Sequence, residues 1–318
     1  MNRCRTVARF LIVALFATAA TAASPAMPIR LEPVARVVHL PIAEQSGIVM
    51  SHTYPGVFWV HNDSGDSARL FALTADGKVI MPQWLSDEYI PDAPNGPVGT
   101  KQPYPGLVIE SASNIDWEDI ALDGDTLYIA DTGNNGNARR DLGVYVLPEP
   151  NPRATDRQRA LKFLPVAYPS QKTYPGEQWH YDCEALFVFH GKLYFVTKHR
   201  APGQINVPEI SADLYRLDTA YTDRVNALAL VDSKSNFGGW VTAADLSPDG
   251  KRLAVLTDFP VASVWLFDTP ASGDKFLSSP ARQITITNVK QAEGICWLDG
   301  KTVLITNEQR EWFRLPTD

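Results

Sequence analysis

Cysteine is scarce in this sequence, with three residues in 318: Cys4, Cys183 and Cys296. No C-x-x-C occurs, so neither a disulfide framework nor a cysteine zinc site is expected. Cys183 stands one position before Glu184 and Cys296 three after Glu293, in different repeats and at different heights. Two buried free thiols are the expectation. H-E-x-x-H, the P-loop and G-x-G-x-x-G are also missing, which removes zinc, nucleotide and dinucleotide cofactors from consideration. Ser64 has no G-x-S-x-G elbow around it, so nucleophilic catalysis has little support. Basic charge is in deficit, with 29 Lys and Arg against 36 Asp and Glu and a formal net charge of -7. Nucleic acid and anionic membrane surfaces are therefore not expected partners. No segment keeps a 3.6-residue apolar period.

The apolar run Phe10 to Ala20 is too short for a membrane span. It follows Arg3, Arg5 and Arg9 and leads into Ala20-Thr21-Ala22-Ala23, the pattern of a secretory signal cut near Ala22 or Ala23. Cys4 precedes the run and is badly placed for a lipid anchor. The expectation is a signal over residues 1–23, a single domain over 24–318, and a monomer in the periplasm or medium. Loss of the three arginines takes the net charge to about -10.

What the chain does have is repetition. Five segments share a central aromatic residue: RLFAL, GVYVL, DLYRL, SVWLF and EWFRL, which align Phe71, Tyr145, Tyr215, Trp265 and Phe313. Each follows a pair of strand-like segments joined by a glycine turn, as in WEDIALDGDTLYIADT, CEALFVFHGKLYFVTK, AADLSPDGKRLAVLTD and EGICWLDGKTVLITNE, with a looser copy at Ser46 to Asp63. The spacing from Glu118 to Asp131 recurs from Glu184 to Thr197, Ala244 to Thr257 and Glu293 to Thr306, a regularity that hairpins keep and helices of variable length would not. An all-β propeller of four-stranded blades follows. Outer strands are expected at Pro105 to Glu110, Ala160 to Val166, Asn226 to Val231 and Arg282 to Thr287. The fifth would come from Glu32 to Leu40, closing the ring and removing open edges. This count gives five blades, with six as the alternative if Met81 to Pro105 hides one. Six prolines in that stretch favour a loop, and Pro148 to Ala160 and Arg200 to Ser211 read as loops too.

In a propeller, inner strands begin and second strands end on one face near the axis. The residues there are polar, and several carboxylates converging on one axis need a cation or basic side chains among them. Oxygen donors of this kind suit Ca²⁺, with Glu118, Asp131, Glu184 and Glu293 as candidate ligands. Ligand contacts are expected from His61, Asn62, Asp63, Lys198, Arg200, Asn307, Glu308 and Arg310, and His199 and His180 are candidate general bases. A structural reading stands beside this one. By strand alternation Glu184 shares a face with Leu186 and Val188, and Glu118 with Ile120 and Leu122. That places the glutamates between blades and Asp119 and Asp245 on the opposite face. HNDSGD and DTGNN likewise suit Asx-type turns.

The repeats, from WEDIAL and LYIADTGNN to EGICW and LITNE, resemble those of exported bacterial β-propellers of the NHL-repeat, SdiA-regulated and phytase-like esterase groups. The resemblance spans Ser46 to Leu315 and implies a propeller whose inner strands open on Glu-Gly or Glu-Ala. The signature motifs of true propeller phytases are absent, so it transfers fold and not activity. Three functions stay open: a binding propeller holding a small molecule or protein at an axial Ca²⁺; a metal-assisted hydrolase of a phosphoester, lactone or ester; and a structural or interaction subunit. An unpaired base beside the metal would mark the second, and neutralisation of the acidic ring by Lys198, Arg200 and Arg310 the third.

Overall fold

Glycine turns close the expected hairpins: Gly124, Gly191 and Gly250 take φ of 60°, 69° and 68°, where only glycine sits without strain. The computed structural model describes residues 27–318; the proposed signal lies outside them. Five antiparallel blades form a ring. Blade one comprises Gln45–Met50, Phe58–Asn62, Arg69–Leu73 and Leu107–Glu110; blade two Trp117–Asp123, Thr126–Asp131, Gly143–Pro148 and Lys162–Ala167. Blade three comprises Trp179–Phe189, Lys192–Arg200, Ala212–Arg216 and Ala229–Lys234; blade four Val241–Leu246, Arg252–Thr257, Ser263–Asp268 and Ala281–Thr287. Blade five joins Ala292–Trp297, Thr302–Asn307 and Glu311–Pro316 to the N-terminal Ala35–Arg36. No described helix is long and apolar enough to cross a membrane.

The closing strand is shorter than the sequence suggested. Val34 N donates to Trp312 O at 2.8 Å and Val37 N to Arg310 O at 2.9 Å. Beyond Val37 the chain leaves the sheet, because His39 Nε2 pairs with Tyr104 O at 2.8 Å and Leu40 N with Ala93 O. The Pro-rich stretch supplying those carbonyls is a loop with a short parallel pair, Tyr89–Ile90 with Gln102–Pro103, and not a sixth blade.

Core formation follows the aromatic column. Each of five apolar clusters fills one seam between successive blades and holds one column residue: Phe71, Tyr145, Tyr215, Trp265 or Phe313. Burying such a side chain stabilises by about 1.5–3 kcal/mol. Cys183 and Cys296 are free and buried, as expected. Outer edges are covered by connections from elsewhere in the chain: Arg157–Arg159 pairs with blade one's outer strand, Asn226–Ala227 with blade two's and Ile29–Arg30 with blade four's. Ser278 bonds Asp232 on blade three's edge at 2.7 and 2.8 Å. These straps occupy the open ladders that would otherwise invite another chain.

Every inner strand carries an extra residue near its start at one common height, and blade three's carries a second between Trp179 and Asp182. The register slips between Gln45 and Ile48, Trp117 and Ile120, Cys183 and Ala185, Val241 and Ala243, and Ala292 and Gly294. A β-bulge re-aims the side chains beside it. The bulge positions that follow the paired residue are Ser46, Glu118, Glu184, Thr242 and Glu293. The hydroxyls tie blades together, Ser46 Oγ donating to Glu118 O at 2.7 Å and Thr242 Oγ1 to Ala292 O at 2.6 Å. Asp119 does the same from blade two, accepting Leu186 N of blade three at 2.8 Å and Ala244 N of blade four at 3.4 Å, besides Ile120 N. Asp245 accepts Trp297 N at 2.8 Å across the next seam. The interblade struts are thus Asp119 and Asp245 rather than the glutamates; the alternation used to place the glutamates between blades breaks at the bulges.

Asp119→Ala leaves buried amides on three blades without an acceptor and is expected to cost about 3 kcal/mol. Urea unfolding would show this as a lower midpoint, with Asp119→Asn, which keeps one acceptor oxygen, falling between the variant and the wild type.

Candidate metal centre at the axial mouth

Glu118 stands at the middle of a carboxylate cluster. Its oxygen lies within 4.8 Å of those of Asp63 and Asp116 on one side, and of Asp182 and Glu184 on the other. Asp116 precedes Glu118 by two residues, and Asp63 follows the second strand of blade one, where its N–H is held by Glu44 O at 2.9 Å. Gly133, at the exit of blade two's second strand, leaves room for the cluster: a Cβ there would collide with the carboxylates of Glu118 and Asp116.

The two sides are chemically unlike. Lys198 Nζ contacts Glu184 at 2.9 Å, and Arg200 pairs with Asp182, with Glu184 at 3.8 Å and with Asn135. Both cations lie over Trp240, at 5.4 and 5.1 Å from its ring centre. On the other side, among the described residues, the Asp63 carboxylate accepts only Ser64 N, at 2.6 Å. Among the described residues no hydrogen bond or ion pair reaches the carboxylate of Asp116 or of Glu118.

Titration follows this division. Burial raises Asp116 to about 7, with Asp182, Asp63 and Glu184 adding repulsion. Burial first and Glu184 next hold Glu118 well above the carboxylate range. Asp182 rises to about 6 through burial and Glu184, against the pull of Arg200. Burial opposes the Lys198 ammonium, but Glu184 and Glu293 outweigh it and its pKa goes up. Glu293, raised by burial, feels Lys198, Glu184 and Asp258 on the blade four and five side. Glu308 joins that side, raised by burial and then by Asp63, and pairs with Gln291.

Several expected site residues have other work. Asp131 is held by Arg139 at 2.9 Å and accepts Asp116 N at 3.1 Å, so it braces the loop carrying Asp116 instead of facing the cluster. Asn62 fixes the incoming chain through Pro41 O and Ala43 N, Asn307 caps Glu311 N at 2.8 Å, and Arg310 donates to Ile42 O at 3.2 Å, away from the acidic ring. His61 is fully buried, edge-on to Trp117 at 5.7 Å, with Nδ1 on Asn62 O and no partner for Nε2; burial pushes it down to about 4. His180 and His199 stack at 3.8 Å in a separate cluster with Asp213. His180 Nε2 meets Glu209 at 2.6 Å, while His199 meets Thr197 at 2.7 Å and Ser211 at 2.9 Å, so both rings are committed to hydrogen bonds on blade three.

Asp116 and Asp182 are in the cluster though they were not counted as ligands, and the polar strand starts were the signal that could have found them. Arg139, Gly133 and Trp240 carried no such signal, since their roles depend on contacts between blades.

No protein-family model matches the chain, and no curated protein matches it in sequence. Among solved structures it is similar to a gluconolactonase from Xanthomonas campestris, at 13% identity and TM-score 0.44 over 93% of this chain and 89% of that one. It is also similar to the calcium-binding protein regucalcin from Agrobacterium tumefaciens, at 12% and 0.41 over 92% and 95%. A chain of the mitotic checkpoint complex matches at 10% and 0.41 over 95% and 99%. Likenesses at this level say nothing about ligand or reaction, so the chemistry of the mouth is read from its own residues.

The raised pKa values of Asp116 and Asp182 mean that the native state holds protons the unfolded chain releases. The stability they contribute is full below about 4 and is lost as pH rises through about 7. His61 and His199, pushed down by burial, act oppositely over much of this range. The readout is therefore a difference: in chelator, Asp116→Asn should gain stability relative to wild type as pH climbs from about 4 to about 7. A gap in urea midpoint that stays flat with pH would refute the elevated titration of Asp116.

Proposed function

We propose that the chain binds a hard divalent cation, Ca²⁺ first, between Asp63, Asp116 and Glu118, and uses it to hold a small oxygen-bearing ligand at the axial mouth. The observation supporting this is the contrast within one cluster: Asp182 and Glu184 have their own cations, whereas the other carboxylates have none. Three carboxylates, with main-chain and water oxygens completing the shell, match the donor set of Ca²⁺. A purely structural role fits less well, because blade cohesion belongs to Asp119, Asp245, Ser46 and Thr242. Export to the periplasm or medium is part of the proposal and rests on the N-terminal apolar run alone.

Metal-assisted hydrolysis of a lactone, ester or phosphoester is a second reading of the same site. It is favoured by the fixed cations across Glu118: a bound ion would polarise the carbonyl or phosphoryl group, and Lys198 and Arg200 would meet negative charge developing on its oxygen.

Thermal unfolding with Ca²⁺ and with excess chelator tests the cation site. At a hundredfold excess over Kd the wild type should gain about 5 °C. Glu118→Gln should lose that gain while becoming more stable in chelator, since glutamine avoids the cost of either charging or protonating an unpaired buried carboxyl group. Glu184→Gln should lose stability in both conditions, because Lys198 loses its partner, yet keep the Ca²⁺ response. A wild type indifferent to Ca²⁺ refutes the proposal.

A further inference from the structure

The two walls of the axial mouth differ in polarity as well as in charge. Opposite Asp63 and Asp116, blades three and four present an apolar shelf centred on Trp240. Its indole is fixed: Nε1 donates to His199 O at 2.6 Å, its main-chain N–H donates to Phe259 O at 2.9 Å, and Lys198 and Arg200 stack over its ring. Phe259 lies 5.9 Å from Trp240, tilted by 53°. Arg200 Nε donates to Ile205 O at 3.0 Å, which brings the 201–211 loop alongside. Phe259 is 53% exposed, Ile205 51%, Val207 42% and Val261 38%. Large apolar side chains scattered singly over a surface are ordinary. Phe259 reaches back to the carboxylate cluster through Trp240, and the Ile205 main chain through Arg200, with Lys198 and Arg200 as the link.

We infer that the ligand of the axial site is amphipathic, with a carbonyl or ester oxygen directed to the cation and an aryl or branched alkyl group lying on Phe259 beside Trp240. This rests on the cation site proposed above and narrows its ligand to a lipophilic lactone or ester. A polyhydroxylated sugar derivative would need hydrogen-bond partners on this wall. The side chain of Phe259 has none to give and the Trp240 indole N–H is taken by His199 O, while the polar groups beside them are engaged, Lys198 and Arg200 with Glu184 and Asp182 and Asp258 with the main-chain N–H groups of Ala292 and Phe259. Desolvating sugar hydroxyls against such a surface is unfavourable, whereas an apolar ring gains by leaving water.

The test compares two probes that share a five-membered lactone ring, γ-phenyl-γ-butyrolactone and ribono-γ-lactone, by calorimetry with the Ca²⁺-loaded protein. The phenyl lactone should bind at least about tenfold more tightly. Phe259→Ser, at a half-exposed position, should lose about that factor for the phenyl lactone alone, while its Ca²⁺-induced thermal shift stays that of the wild type. Equal or tighter binding of ribono-γ-lactone, or unchanged phenyl lactone binding in Phe259→Ser, overturns the inference and leaves the cation site standing. Loss of the Ca²⁺ shift in the wild type overturns both. A concentration-dependent dimer in sedimentation that Phe259→Ser abolishes would also overturn it, because the shelf would then belong to a second copy.

Discussion

A bulge at the same height in all five inner strands, joined in blade three by a second at Trp179–Asp182, decides which side chains meet at the axis. Without it, Glu118 and Glu184 would lie among the apolar residues of the seams, where an unpaired carboxylate is costly. With it, they converge on the mouth. The alternation then resumes and sends Leu186, Ile120 and Ile295 into the core clusters. The bulge thereby separates a polar tier from an apolar one along strands only six to eleven residues long. Asp119 and Asp245 hold that geometry by accepting amides from the neighbouring blades.

The mouth divides at Glu118 because cations come from one blade only. Lys198 and Arg200 extend from the end of blade three's second strand and reach Glu184 and Asp182. The corresponding strand ends of blades one and two bring Asp63 and Asp131 instead, and the cation near Asp131, Arg139, is spent on it. Charge compensation is therefore local, and what is left over is an oxygen-rich group beside an aromatic shelf. This asymmetry is what makes the site directional for an incoming molecule.

Much of the architecture was legible because it depends on short-range rules. Glycine turns, strand alternation and the aromatic column are local, and they located the hairpins, all five third strands and the N-terminal partner of Glu311–Pro316. The site was legible only in outline. Glu118, Glu184 and Asp63 were placed on the right face, but a bulge leaves no mark in a single sequence, so the side assigned to the glutamates was inverted. Asp131 looked equivalent to the ligands until Arg139, eight residues on, proved to hold it. Asn62, Asn307 and Arg310 spend their polarity on main-chain groups of nearby loops, a use that composition cannot distinguish from ligand binding. Glu209 and Ser211, which hold His180 and His199, come from the 201–213 segment, whose path over blade three is set by tertiary packing.

The segment from Ile29 to Val37 is attached at two places: Ile29–Arg30 runs parallel to blade four's outer strand, and Val34–Val37 bonds to Arg310 and Trp312 in blade five. Its partners lie more than 250 residues away along the chain. During synthesis this segment is among the first of the described residues to be made, and its pairing surface is among the last. It must therefore wait as unpaired chain while blades one to four accumulate, and the contacts that complete the ring carry the greatest sequence separation among the described residues. Such contacts form late, because their loop-closure entropy is met before they yield any stabilisation. The carboxylate cluster, drawn from blades one to three, does not depend on that closure, whereas Glu293 and Glu308 join the mouth with blade five.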